Sequence, residues 1–139
     1  MGKHAIIIIK NEDNKYLQYY DKIWKSYLFL NCKLINGDDI NLVKNKVSKD
    51  LNIGLEDINV QLLGSKTHKK FSESAKKEKE YTHYFYKLVL NKILKNSDFE
   101  INNITYKWLS YEDMITDERI FKVNSDIIEF VVELEKLQK

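Results

Sequence analysis

The chain has 139 residues, a formal net charge of +2 and 43% apolar residues. This length predicts a single domain that spans residues 1–139, with enough apolar side chains for a conventional core. The near balance of 23 basic and 21 acidic residues gives no general nucleic-acid signature. No apolar run approaches the roughly 18 residues that a membrane span requires. The single cysteine, Cys32, excludes an internal disulfide, so we expect a cytoplasmic protein with no membrane partner.

The first part of the chain predicts strands separated by turns. Residues 5–9 form a β-branched run typical of a buried central strand, and residues 16–20 resume a strand after a polar turn cluster. Residues 24–30 are again apolar and aromatic, and they lead into a strand end at Lys33 and Leu34. The spacing therefore predicts a hairpin followed by a further strand.

A helix is predicted after a turn at Gly37. Its apolar positions recur on one face: Ile40, Val43, Val47 and Leu51. Asp38 or Asp39 can cap its first turn, because an aspartate side chain accepts from the exposed amides there. The helix should end near Asn52, with Gly54 as its terminator.

The second part predicts strands at residues 58–63 and 81–90, separated by the most polar stretch of the chain, residues 66–79. We interpret that stretch as a long loop or hairpin tip. Residues 106–110 predict a strand followed by a turn. Ser125 then caps a closing amphipathic helix at residues 126–137. This order predicts an α/β fold in which a mixed sheet carries a helix on each face.

The segment from Lys33 to Ile53, KLINGDDINLVKNKVSKDLNI, resembles the signature of the Nudix family, whose members cut pyrophosphate links in nucleoside diphosphate derivatives. That signature carries Arg-Glu, an aliphatic residue and Glu-Glu on a helix, followed by a glycine and a second aliphatic residue. When Val47 and Ile53 take the aliphatic positions, Asn45 and Lys46 replace Arg-Glu. The resemblance implies a Nudix-like α/β/α sandwich with a degenerate signature.

The remaining signature positions hold Lys49, Asp50 and Asn52, so one of three acidic positions is kept. In the family, glutamates of this helix hold Mg²⁺ or Mn²⁺. Residues four apart lie one above the other on a helix, so Lys46 and Asp50 are predicted to form an ion pair. Asp50 is the one metal ligand that the resemblance implies, and no catalytic residue is assigned. Substitute ligands remain open: Asp38, Asp39, Glu56, Asp57, Glu78 and Glu80.

Candidates for binding a nucleotide or nucleotide-like ligand fall into two groups. Tyr81, His83 and Phe85 alternate along a strand and share a face that could stack on a base, although His83 could equally be a hydrogen-bonded strand residue over a helix. The second group lies in or near the signature and consists of Lys33, Lys46, Trp24 and Phe29. Core packing would explain the aromatic members as well. We expect His68 to be solvated and Cys32 to be a small buried apolar residue.

Three functions remain open at this stage. The first is a non-catalytic module that binds a nucleotide or docks a protein, including a second copy of itself. The second is a Mg²⁺- or Mn²⁺-dependent nucleoside diphosphate pyrophosphohydrolase with non-standard metal ligands. The third, and the weakest, is RNA binding through the lysines of residues 66–79, because the overall charge is close to neutral.

Overall fold

The computed structural model describes residues 2–35, 39–72, 77–92 and 94–137, so Gly37 and Asp38 lie outside the described residues. Its elements are β1 (Gly2–Ile9), β2 (Tyr16–Asp21), β3 (Ser26–Lys33), α1 (Asp39–Leu51), β4 (Ile58–Ser72), β5 (Lys77–Leu90), β6 (Phe99–Ile101), β7 (Ile104–Leu109), α2 (Tyr111–Thr116) and α3 (Glu118–Lys136). A 3-10 turn at Leu55–Asp57 joins α1 to β4.

The strands form one mixed sheet in the order β4-β5-β1-β3-β2-β7-β6. β1 and β5 run parallel, whereas the other neighbours are antiparallel. Buried side chains of α1 pack on one face of this sheet, and those of α2 and α3 pack on the other. The predicted α/β/α sandwich is confirmed. In the described ranges, no helix is long and apolar enough to cross a membrane.

β1 shows how the sheet divides the core in two. Ala5, Ile7 and Ile9 pack on the α1 side, and Ile6 and Ile8 pack on the α3 side. A strand buried on both faces needs no polar alternation, which explains the unbroken apolar run. The prediction of a central strand here is confirmed.

The rotation of α1 is set by its buried stripe, which consists of Val43, Val47 and Leu51. Ile40, predicted on the same stripe, is 46% exposed and lies outside it. Asn52 adopts a left-handed backbone (φ 57°) and ends the helix, as asparagine often does when no glycine stands there. The prediction that Gly54 terminates α1 is wrong, because Gly54 has an extended backbone and precedes the 3-10 turn.

The polar stretch of residues 66–79, predicted as a loop or hairpin tip, is mostly paired strand. Lys66 lies opposite His83, and Lys69 lies opposite Glu80, within the long β4–β5 hairpin. β4 is an edge strand with one face open to water, so polar side chains suit it. The opposite charges of Lys69 and Glu80 also favour the pairing there. The loop prediction is therefore wrong for the described residues of this stretch.

The C-terminal helices begin earlier than predicted. Ser110 and Asp113 form a reciprocal capping box, so the segment predicted as a turn after β7 is the helix α2. The Asp117 side chain then accepts from the Ile120 amide (3.0 Å) and caps α3. Ser125 lies inside α3, and the prediction that it caps the closing helix is wrong.

Candidate functional site

α1 brings Lys46 and Asp50 together beside the sheet. Lys46 Nζ lies 2.7 Å from Asp50 Oδ2, so the predicted ion pair is confirmed. The two side chains are 42% and 23% exposed, and solvent reaches both. A pair of this kind contributes only about 0.2–0.5 kcal/mol to stability. The ion pair therefore adds little to the stability of the helix, and both charged groups are accessible to a ligand.

A cavity of about 90 Å³ opens beside this ion pair. It is lined by Tyr19, Leu30, Asn31, Lys46, Asp50, Ile104 and Tyr106. β2, β3 and β7 supply its wall because β2 lies between the other two in the sheet. The cavity thus combines an ammonium group, a carboxylate, an amide and two phenols over an apolar floor.

The phenols of this cavity are hydrogen-bonding groups and not bases. Burial raises the pKa of Tyr106 to about 12, with smaller contributions from the charges of Asp50 and Tyr19. Burial also raises the pKa of Tyr19, although Asn31 donates to its phenol oxygen (3.2 Å) and favours the ionised form. The Tyr19 hydroxyl donates in turn to Asp21 (3.2 Å). Both phenols consequently stay protonated at neutral pH.

Cys32 lies close to the ion pair but is not an activated nucleophile. Its side chain is half-buried against the α1-side core. Burial raises the pKa of its thiol, which outweighs the lowering effect of Lys46, and Asp50 and Asp39 raise it further. The thiolate is the reactive form of cysteine, so a protonated Cys32 behaves as a small apolar residue.

Comparison with known proteins identifies the fold. The sequence matches no protein-family model and no curated protein sequence. The Ap4A hydrolase of C. elegans is similar to the chain over 96% of this chain and 98% of its own, with a TM-score of 0.58 and 17% identity. A NUDIX family hydrolase from Clostridium perfringens is similar over 99% and 98%, with a TM-score of 0.57 and 17% identity. The chain has the Nudix fold.

A third solved structure is also similar to the chain. The MutT protein of Bacillus halodurans is similar over 84% of this chain and 72% of its own, with a TM-score of 0.57 and 15% identity. Identities this low establish the Nudix fold and leave the chemistry to the residues of this chain. α1 is the helix to which the resemblance assigns the metal-binding glutamates.

A divalent metal at the Nudix helix does not fit the residues present. The ammonium group of Lys46 touches Asp50, which is the carboxylate that lines the cavity, and it repels an incoming cation. Mg²⁺ prefers several oxygen ligands. Across the described ranges, no three His, Cys, Asp or Glu side chains are grouped so that they could hold a metal ion. Asp39, a substitute candidate, begins α1 about three helical turns before Asp50.

Two predicted binding residues lie in the core on the other face of the sheet. Phe29 and Phe85 are 2% and 0% exposed and pack beneath α3. Lys46 projects from α1, on the opposite face. A ligand at Lys46 therefore does not touch these two rings, because the sheet lies between them.

The remaining predicted residues near the signature also lie apart from the cavity. Trp24 is 56% exposed in the turn between β2 and β3, where Arg119 Nε donates to its carbonyl oxygen (3.1 Å). Lys33 is exposed and lies opposite His4, on the α3 side of the sheet. Of the predicted residues, the structure brings Lys46 and Asp50 together at the cavity and leaves the others elsewhere.

The histidines behave differently from the prediction. His68 Nε2 and His83 Nδ1 are 3.1 Å apart and share a hydrogen bond, so the expectation of a solvated His68 is wrong. The cause is the pairing of β4 with β5, which sets His68 opposite Tyr81 on the α3 side. The alternative interpretation of His83 as a hydrogen-bonded strand residue is confirmed.

One lysine of the same hairpin is engaged within the chain. Lys66 Nζ lies 2.9 Å from a Glu133 oxygen of α3 and 5.6 Å from the centre of the Phe130 ring. Lys69 lies opposite Glu80 on exposed strand. These contacts compensate part of the positive charge on which RNA binding by the hairpin would depend.

Three polar residues of the cavity were missed by the sequence analysis, namely Tyr19, Asn31 and Tyr106. Tyr19 and Tyr106 are ordinary strand tyrosines, and only the register of β2 against β7 sets them opposite each other. Asn31 offered a signal, because Asn31-Cys32 stands where the Nudix signature that this segment resembles starts with a glycine pair.

Two larger cavities lie away from α1. One of about 550 Å³ adjoins α2, where Asp113 is committed to the capping box and Lys107 lies over the ring of Tyr27. The other, of about 420 Å³, lies at the ends of β1 and β5 beside Trp108. Neither includes a residue of α1. We place the candidate site at the small cavity because the signature helix supplies its charges.

Proposed function

We propose that this Nudix-fold protein binds the phosphate of a nucleotide or nucleotide-like ligand at α1 without cleaving it. The observation that carries this proposal is the 2.7 Å contact of Lys46 with Asp50 beside the small cavity. The degenerate signature has a cation where metal-binding enzymes need a second carboxylate. An ammonium group can neutralise phosphate directly, which is the electrostatic task that Mg²⁺ performs in metal-dependent hydrolysis.

The size of the cavity supports a phosphate as the group bound there. A volume of about 90 Å³ is well below the roughly 300–1,000 Å³ of pockets that enclose small molecules. The sugar and base of a ligand would thus lie outside the cavity. Inside, Lys46 supplies charge, and the protonated phenol of Tyr106 supplies a hydrogen-bond donor.

The proposal is tested by calorimetric titration of nucleotides such as ATP, ADP and Ap4A in the presence of EDTA. Binding should persist without metal and weaken about tenfold or more in Lys46→Met, because a hydrogen bond to a charged group contributes about 1.5–3 kcal/mol. Lys44→Met is the matched control, since Lys44 is turned about 200° away from Lys46 around the helix. Equal affinity in wild type and Lys46→Met would overturn the proposal.

The second candidate is a Mg²⁺- or Mn²⁺-dependent pyrophosphohydrolase with Asp50 as its inherited ligand. It is favoured by the partly exposed Asp50 carboxylate at the cavity and by the hydrolase names of the similar structures. Metal-dependent turnover that disappears in Asp50→Asn would establish it. Absence of both binding and turnover would instead favour a protein-docking role.

A further inference from the structure

The polar groups that line the small cavity at α1 differ in whether they can still donate a hydrogen bond. Asn31 Nδ2 donates to the Tyr19 phenol oxygen (3.2 Å) and to the Phe29 carbonyl oxygen (2.9 Å). A carbonyl oxygen can only accept, so the second contact fixes which end of the amide carries the nitrogen. Both N–H groups of Asn31 are engaged in this way. The atom that Asn31 still offers to a ligand is Oδ1, which is an acceptor.

Tyr19 and Asp50 also face the cavity as acceptors. The Tyr19 hydroxyl donates its hydrogen to Asp21 (3.2 Å) and accepts from Asn31. Asp50 is held as a carboxylate by its ion pair with Lys46, and a carboxylate can only accept. The contact with Lys46 uses Oδ2, whereas a carboxylate has about four lone-pair sites on its two oxygens. Asp50 therefore keeps acceptor capacity beside the cavity.

Two of the residues that line the cavity supply donors. The ammonium group of Lys46 has three N–H bonds, and its contact with Asp50 leaves others for a ligand. The phenol of Tyr106 stays protonated, because burial raises its pKa to about 12. A ligand in the cavity thus meets donors from Lys46 and Tyr106 and acceptors from Asp50 and Asn31.

This arrangement discriminates between anions of the same shape. Sulfate and a phosphate diester carry no proton at neutral pH, so all their free oxygens are acceptors. In the cavity some of these oxygens would face Asp50 or Asn31 with no hydrogen between them, and an unpaired buried acceptor is costly. A phosphate group that keeps one proton avoids this conflict. Its P–OH donates to a carboxylate, and its other oxygens accept from the donors.

We propose that the cavity selects a phosphate group that carries a proton, with the P–OH donating to Asp50 and the other oxygens accepting from Lys46 and Tyr106. This inference rests on the proposed phosphate site and adds the class of ligand: inorganic phosphate or the terminal group of a phosphate monoester. ADP and ATP end in such a group, whereas every phosphate of Ap4A is linked on both sides. Ap4A should therefore bind at least about tenfold more weakly than ADP.

The first test compares phosphate with sulfate on the wild-type protein. Both anions are titrated at equal ionic strength, with EDTA present, while ¹H–¹⁵N spectra follow the Asn31 side-chain amide and the Lys46 backbone amide. Saturable shifts are expected with phosphate, and the affinity for sulfate should be at least about tenfold lower. Equal affinities that both weaken in Lys46→Met would keep the phosphate site and overturn the selection. No shift with either anion would remove the site, and both proposals with it.

The second test measures the proton directly. A phosphate monoester takes up its second proton with a pKa of about 6, so binding of methyl phosphate at neutral pH must draw a proton from solution. Calorimetry in buffers of different ionisation enthalpy should show an uptake that approaches about one proton per ligand. Lys46 keeps its charge in the ion pair. Burial raises the pKa of Tyr19, Tyr106 and the Cys32 thiol, so these groups already hold their protons.

Asp50→Asn decides whether the carboxylate makes the selection. The new amide can donate as well as accept, so phosphate and sulfate should bind with nearly equal affinity and proton uptake should disappear. Asp39→Asn is the matched control, because Asp39 begins α1 about three helical turns away and its loss should preserve both properties. Circular dichroism checks that both variants fold. A preference for phosphate and a proton uptake that persist in Asp50→Asn would refute the proposal.

Discussion

The two faces of the sheet differ in what their polar side chains contact. On the α3 face, Asn124 donates to the Tyr27 carbonyl oxygen (3.0 Å), and Tyr16 donates to the carboxylate of Glu135. These contacts attach the helix to the strands. On the α1 face, Lys46 and Asp50 pair with each other along the helix and border a cavity.

This difference separates side chains with a structural task from those available to a ligand. α1 is held against the sheet by the apolar side chains on its inner face. Lys46 and Asp50 can therefore bind other groups without detaching the helix from the sheet. The polar contacts of α3 cannot exchange in this way, because they join separate elements of the fold. The contrast predicts which substitutions unfold the protein and which alter binding alone.

The largest effect should come from Phe85→Ala on the α3 face. Phe85 is fully buried, so its truncation leaves a cavity and should lower the free energy of unfolding by about 3–5 kcal/mol. Urea unfolding measures this change. Trp24→Ala, at an exposed position, is the control and should change stability far less. A Phe85→Ala protein of wild-type stability would contradict the assignment of Phe85 to the core.

Tyr106 tests the α1 face through pH. Its folded-state pKa of about 12 lies above the ordinary value of 10.0, so the folded protein keeps a proton that the unfolded chain releases. Stability should fall as pH rises through this window, and Tyr106 should account for roughly 2 kcal/mol of the fall. Tyr106→Phe should lose less stability than wild type between pH ~10 and ~12 in urea unfolding.

Tyr111→Phe is the control for that comparison, because Tyr111 is an exposed tyrosine of α2. Identical pH dependence of stability in wild type and Tyr106→Phe would show that Tyr106 does not titrate as a buried phenol. The description of Tyr106 as a protonated donor in the cavity would then fail.

Gln18 is an exception on the α3 face, because its polar group is buried without full compensation. It is completely buried, its Nε2 lies 2.8 Å from the Met114 sulfur, and its Oε1 has no hydrogen-bond partner among the described residues. Gln18→Met keeps the shape and removes the uncompensated acceptor, so stability should rise by about 1 kcal/mol. Thermal unfolding measures this. The same substitution at the exposed Gln61 should have little effect.

The smallest effect on stability should come from Lys46→Met. Loss of a helical ion pair that is partly exposed should cost no more than about 0.5 kcal/mol in urea unfolding. The same variant should weaken nucleotide binding clearly. A large loss of stability in Lys46→Met would show that the pair holds α1 in place and would remove the contrast between the two faces.

Much of the fold was predictable because the spacing of apolar residues along the sequence indicates which side chains are buried. The buried run of β1 and the apolar stripe of α1 were both recognisable in the sequence. Residues 66–72 were predicted as loop or hairpin tip and not as strand, because an edge strand tolerates polar side chains and leaves no apolar pattern. The start of α3 was misplaced because Ser125 followed by Asp126 imitates a cap, whereas the side chain of Asp117 performs that task.

The candidate site was less predictable because it depends on strand register. The pairing of Lys46 with Asp50 follows from helical spacing alone, and it was predicted. Which strand residues meet that pair depends on how β2, β3 and β7 align, and a single sequence carries no signal for this alignment. For the same reason, Phe85 could not be assigned to the α3 face before the structure was known.

The most direct measurement is a turnover assay of the wild-type protein with Mg²⁺ or Mn²⁺ and nucleoside diphosphate and dinucleotide substrates. If an ion pair replaces the metal site of the Nudix helix, every substrate should be recovered intact by chromatography, although nucleotide still binds. Metal-dependent cleavage that is abolished in Asp50→Asn would contradict this account and identify the protein as a hydrolase.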